Sequence, residues 1–161
     1  MGIDRAALFD QLFTELNNSL ATATQAANDA RALATHEQSK PETQYDTVGL
    51  EASYLAHGQS QRVAEIKLAI EDWKGLRTKI FDNDSEISVG ALIQLTDDHG
   101  TVSTYLLGNY SGGLKLTFDG DTVMVITNNS PLGKLLDNQC VGDEIKHPIL
   151  ADQYLEIHNI F

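Results

Sequence analysis

Residues 9–34 read FDQLFTELNNSLATATQAANDARALA, and in them Phe9, Phe13, Leu16, Leu20, Ala23, Ala27, Ala30 and Ala34 recur at alternating spacings of four and three. That rhythm keeps one apolar stripe on a helix face and predicts a heptad seam. A second run, Val63, Ile66, Ile70, Trp73, Arg77 and Ile80, keeps the same rhythm, provided Arg77 lays its stem along the seam with its charge outside. Between the runs lies His36-Glu37-Gln38-Ser39-Lys40-Pro41-Glu42. Proline is excluded from a helix interior but accepted in a first turn, and Ser39 with Glu42 three residues on fits a capping box, so the chain is expected to reverse near 36–39. Gly49, beside the β-branched Thr47 and Val48, is a weak point of the second helix.

Helices of roughly 30 to 40 residues would be about 45 to 60 Å long, too long for the surface of one small domain, so the pair should project as an antiparallel coiled-coil hairpin over residues 1–81. Large seam residues sit near its base and alanines near its tip, around 36–46. The far end should therefore be slender.

From about residue 86 the period becomes two. Ile87, Val89, Ala91, Ile93 and Leu95 alternate with polar or small partners and predict a half-buried strand. Asp97-Asp98-His99-Gly100, Ser111-Gly112-Gly113 and Asp119-Gly120 read as turns between further strands. In Ser130-Pro131-Leu132-Gly133-Lys134-Leu135-Leu136, serine stands at a cap position with proline just inside, which predicts one short helix. The fold class is α+β: a long helical hairpin followed, over residues 82–161, by a small antiparallel β domain with one short helix.

Charge narrows the function classes. The chain carries a formal net charge of −12, and residues 82–161 hold twelve acids against three bases. Naked nucleic acid and anionic membrane should repel it, so neither independent nucleic-acid binding nor a membrane is expected, and a basic protein surface is the better partner. No apolar run of about 18 residues exists to span a bilayer, and the amino-terminal MGIDRAALFDQLF lacks the features of a signal peptide. Cys140 is the only cysteine, which precludes an intramolecular disulfide and suits a reducing, cytoplasmic setting. The five histidines show no zinc-binding spacing, no glycine-rich phosphate loop occurs, and Ser130 does not stand in a nucleophile elbow.

The segment Ile126-Thr127-Asn128-Asn129-Ser130-Pro131-Leu132-Gly133-Lys134-Leu135-Leu136, followed by Val141-Gly142-Asp143-Glu144-Ile145, closely resembles the carboxy-terminal signature of the Gre transcript-cleavage factors. The resemblance is strong over residues 87–145 and lies more in architecture than in identity over residues 1–80. It implies that 82–161 is an FKBP-like domain that docks at the secondary channel of bacterial RNA polymerase, through Ser130, Pro131, Leu132 and Gly133, while the hairpin reaches toward the catalytic centre. It also implies an accessory factor with no enzyme activity and no cofactor of its own, whose tip carboxylates help hold a Mg2+ ion that the polymerase uses to cleave backtracked RNA. Magnesium prefers such hard oxygen ligands, and a second metal can activate the attacking water. Prolyl isomerase activity, known for domains of that fold, needs an aromatic-lined pocket, yet the sole tryptophan, Trp73, stands in the hairpin.

Gre tips carry D-x-x-E; here the turn reads Glu37-Gln38-Ser39-Lys40-Pro41-Glu42-Thr43-Gln44-Tyr45-Asp46. Glu42 and Asp46, spaced i and i+4, share a helix face and can present two carboxylates together, with Glu37 or Glu51 as substitutes. Capping and the helix dipole account for Glu42 and Asp46 without any metal. Tyr45 and Tyr54 are read as seam packing or as partner contacts. Three readings stand: a cleavage factor, a non-cleaving occupant of the channel that competes with Gre factors, and a coiled-coil structural or interaction protein.

Overall fold

A computed structural model describes residues 3–38 and 47–161. Two long helices, α1 (Arg5–Gln38) and α2 (Thr47–Arg77), precede β1 (Leu92–Thr96), β2 (Val102–Gly108), β3 (Lys115–Phe118), β4 (Asp121–Thr127), α3 (Pro131–Leu136), β5 (Glu144–Lys146) and β6 (Tyr154–Ile160). The α+β organisation expected from the change of period is present. His36, Glu37 and Gln38, assigned to the reversal by their neighbourhood to proline, belong instead to α1. The Ser39/Glu42 capping box lies outside the described residues. Among those residues no helix is long and apolar enough to cross a membrane.

The chain forms two compact units: Met1–Leu12 with Glu71–Phe161, and Phe13–Ile70. The ends of both helices thus group with the sheet.

In the first unit the strands form one sheet in the order β3-β4-β2-β1-β6-β5. It is mixed rather than wholly antiparallel, because β2 and β4 pair in parallel, Thr104 opposite Val123 and Leu106 opposite Val125. The strand β3 lies outside β4, so the connection from β2 must cross the end of β4. Ser111-Gly112-Gly113 makes that crossing: the Gly113 amide donates to the Val125 carbonyl at 2.8 Å, and a Cβ on Gly112 would lie 3.0 Å from Thr127 Cγ2. A side chain on Gly112 would press on Thr127, a crowding that glycine avoids.

The sheet is buried on both faces. On one, Ile93, Leu107 and Ile126 pack with Ile87, Ile157 and Leu136 of α3. On the other, which carries Leu106 and Gly108, the Trp73 ring lies where a Gly108 side chain would stand. Trp73 donates from Nε1 to Ser111 Oγ at 3.3 Å and meets Phe9 edge to face, with centroids 5.9 Å apart. Arg5 reaches the Leu76 carbonyl while Phe9 reaches Trp73, so the helices run antiparallel here. Two-sided burial corrects the half-buried strand predicted from residue 87: β1 begins only at Leu92, and Ala91, Leu92 and Ile93 are consecutively buried.

The seam is also modified at this level. Leu8, Phe9 and Leu12 are fully buried, whereas Phe13 is only half-buried. After Trp73 the buried position is Leu76; Arg77 is exposed and pairs with Asp10, and Ile80 lies beyond the end of α2, exposed. A straight helix of 3.6 residues per turn drifts off a 3.5-residue repeat, which carries Leu76 rather than Arg77 onto the packed face.

In the second unit the seam is small. Among the described residues its buried apolar side chains are Leu16, Ala23, Ala27, Ala30 and Ala34 on α1 and Ala52, Ala56, Ala69 and Ile70 on α2. Arg31 bridges the helices by donating to Ser60 Oγ at 2.7 Å. Gly49 is helical and buried, and its carbonyl accepts from Ser53 Oγ at 3.0 Å.

Candidate functional site

Two groups of residues are nominated by the sequence: the tip carboxylates and the segment around α3. Of the first, Glu42 and Asp46 lie outside the described residues, as does the side chain of Glu37. Glu51 is exposed on α2. Leu50, Tyr54 and Leu55 surround it in sequence and are all exposed, Tyr54 by 70%, so Tyr54 is not a seam residue. Among the described residues no three His, Cys, Asp or Glu side chains gather as metal ligands do.

The α3 segment is built as its sequence predicts. Ser130, in extended backbone with φ −70° and ψ 157°, caps the helix: its Oγ accepts from the Gly133 amide at 3.0 Å. The same hydroxyl donates to the Thr127 carbonyl at 2.6 Å, tying the helix start to the end of β4. Pro131 follows at the first helical position, where a missing N–H costs nothing. Gly133 is buried, and a Cβ there would collide with the Thr127 carbonyl. Leu132 leans on the core cluster, while Pro131 is exposed. Of the four docking candidates, then, Ser130 and Gly133 are fully used in holding α3 on the sheet, and Pro131 offers the freest surface. At the far end the Asp137 amide donates to the Gly133 carbonyl at 3.2 Å, and Asn138 turns away with φ 64°.

Sequence reasoning missed Arg5. One guanidinium nitrogen, Nη1, donates to the Gly90 carbonyl at 2.6 Å and to the Phe161 carbonyl at 3.4 Å; Nη2 donates to the Leu76 carbonyl at 3.0 Å. Its cation also lies over the rings of Phe9, at 4.7 Å, and Phe81, at 5.4 Å. Burial lowers the guanidinium's proton affinity, but arginine's ordinary value is high enough that it stays charged, held here by carbonyl dipoles and aromatic faces. Gly90, with φ +99°, occupies a left-handed conformation that suits glycine. Arg5 thus positions the base of both helices against the approach to β1. An arginine one turn ahead of an apolar run gives no local signal of this role, because its partners are backbone carbonyls distant in sequence.

No family model matches the chain, and no curated protein matches it. Among solved structures it is similar to Gfh1 of Thermus aquaticus, with 21% identity over 92% of each chain and a TM-score of 0.37. It is similar to a structure described as the transcription factor Gfh1, with 18% identity over 92% of each chain and a TM-score of 0.38. It is also similar to GreA factor homolog 1 of Thermus thermophilus, with 18% identity over 92% of this chain and 94% of that one and a TM-score of 0.37.

Proposed function

We propose that this chain is a Gre-like regulator of bacterial RNA polymerase, an accessory cytoplasmic factor that binds at the secondary channel and acts through the polymerase's own active site. The observation that carries the reading is the Ile126–Leu136 signature with Val141–Ile145 behind it, in a chain whose two long helices precede that domain. In this reading the surface around Pro131 and Leu132 docks on polymerase, and Glu42 and Asp46, or Glu37 and Glu51 in their place, come to the catalytic centre. Their carboxylates add ligands to a Mg2+ ion shared with the enzyme and help it hydrolyse backtracked RNA.

A second reading is favoured by one observation: residues 37–46 contain no D-x-x-E. A factor that enters the channel without supplying that pair of carboxylates occupies it and excludes cleaving factors. The two readings part in one assay, RNA cleavage by purified backtracked polymerase with Mg2+, using the native chain, Glu42→Ala, Asp46→Ala and the double variant. Stimulated cleavage that the double variant loses by tenfold or more supports the cleavage factor. Absence of cleavage with suppression of a known Gre factor supports the occupant. Absence of both sinks the polymerase reading and leaves a coiled-coil interaction protein.

A further inference from the structure

The strand registers bring three connections to one end of the sheet. Thr96 opposite Val102 sets the β1–β2 turn there; Val102 runs parallel to the start of β4, which brings the β3–β4 turn to the same end. Glu156 opposite Thr96, and Lys146 opposite Tyr154, bring the β5–β6 loop beside them. The other end of the sheet is the one taken up by Trp73 at Gly108 and by Arg5 at Gly90 and Phe161.

The turn-bearing end has an apolar tip and an acidic surround. In the β5–β6 loop, Ile149 is 85% exposed and Leu150 is 47% exposed. The loop is braced: His147 Nδ1 accepts from the Ile149 amide at 3.1 Å and the Leu150 amide at 2.9 Å, and the His147 amide donates to the Gln153 carbonyl at 2.8 Å. Isoleucine is therefore held out in water on a fixed support, which lowers the ordering cost of docking. Around it the turns carry Asp97, Asp98, Asp119, Asp121 and Asp152; residues 97–101, 119–121 and 147–153 contain no Lys or Arg, and the nearest bases in sequence are Lys146 at the loop's entrance and Lys115 on β3, which lines one surface hollow with Asp121.

We infer that this end of the sheet is a docking surface for a basic protein segment that offers an apolar socket to Ile149 and Leu150. The charge sign selects the partner: five carboxylates repel nucleic acid and anionic lipid and attract Lys- and Arg-rich protein, while the apolar tip supplies the desolvated centre that a polar rim surrounds in protein interfaces. The inference rests on the polymerase reading and adds to it a contact separate from the α3 segment.

The test measures association and dissociation of the full chain with purified polymerase core enzyme at several salt concentrations, for wild type, Ile149→Asp, and the pair Asp98→Lys/Asp121→Lys. All three positions are exposed, so melting temperatures should stay unchanged, which certifies folding. Ile149→Asp should weaken binding roughly tenfold or more, mainly by faster dissociation. The charge pair should slow association and flatten its salt dependence. Wild-type binding with both variants within about twofold of it overturns this surface and leaves the polymerase reading intact, whereas no binding by wild type overturns both. Self-association of the wild type that Ile149→Asp abolishes makes the loop a contact between copies and likewise overturns the proposal.

Discussion

The helix residues of the sheet-bearing unit and those of the Phe13–Ile70 unit bury faces of different content. Leu8, Phe9, Leu12, Trp73 and Leu76 are buried in the first; alanines dominate the buried seam of the second. Hydrophobic stabilisation scales with the apolar area removed from water, so an indole and an alanine methyl differ severalfold in what each contributes. Alanine gives instead the best intrinsic helix propensity and the closest approach of backbones. Residue size, then, says what period does not: whether a buried helix face anchors a domain or permits a close helix pair.

Trp73→Ala should break the contrast most severely. It empties the space between Phe9 and Gly108 and should cost about 3–5 kcal/mol, read as a lowered urea midpoint with loss of protection in β1 and β2. Ala27→Leu tests the other side. Ala27 is 2% exposed, and a larger side chain there should cost about 1–3 kcal/mol by overpacking, with amide exchange accelerating across residues 16–34 while the sheet's exchange is unchanged. Equal acceleration in β1 and β2 would show that the two units open together.

The smallest effect is confined to one turn of the sheet unit. The Asp97 carboxylate accepts from the Thr101 amide at 2.9 Å and the His99 amide at 2.8 Å. The Thr101 bond above all, with lesser help from His99 and Gly100, holds its pKa below the usual carboxylate value, against a smaller opposing effect of desolvation. Because the folded value is depressed, this contribution is complete above the unfolded aspartate's value of about 3.9 and is lost as pH falls through the lower folded one. Asp97→Asn should remove that pH dependence from the Thr101 amide, as followed by its chemical shift and exchange, and leave the alanine-seamed helices unaffected.

Much of this contrast is legible in the sequence, because the period of apolar residues is a local property. The seam positions of α1, the change to strands and the Ser130 cap with Pro131 behind it all depend on neighbours within a few residues. The burial of Leu8 and Leu12 is not: they lie off the predicted seam and are buried in the unit that contains the sheet, a second partner that a two-helix pattern does not contain. The parallel pairing of β2 with β4 escapes for a similar reason, since short buried strands read alike in either direction. Arg5 escapes because its acceptors are main-chain carbonyls, which every residue has. For the candidate site, α3 is legible down to its hydroxyl, whereas the exposed Ile149 stands out only once the registers bring three turns together.

The Arg5 clamp also sets an order of events during synthesis. Arg5 and Phe161 are 156 residues apart, so a ribosome adding about 5–20 residues per second completes the clamp roughly 8 to 30 s after it makes the arginine. For most of that interval Leu8, Phe9 and Leu12 are already made while the strands that share their unit are still incomplete. The nascent helix carries an adhesive face with no sheet yet to cover it, and the cell must keep that face from other chains until the last strand arrives.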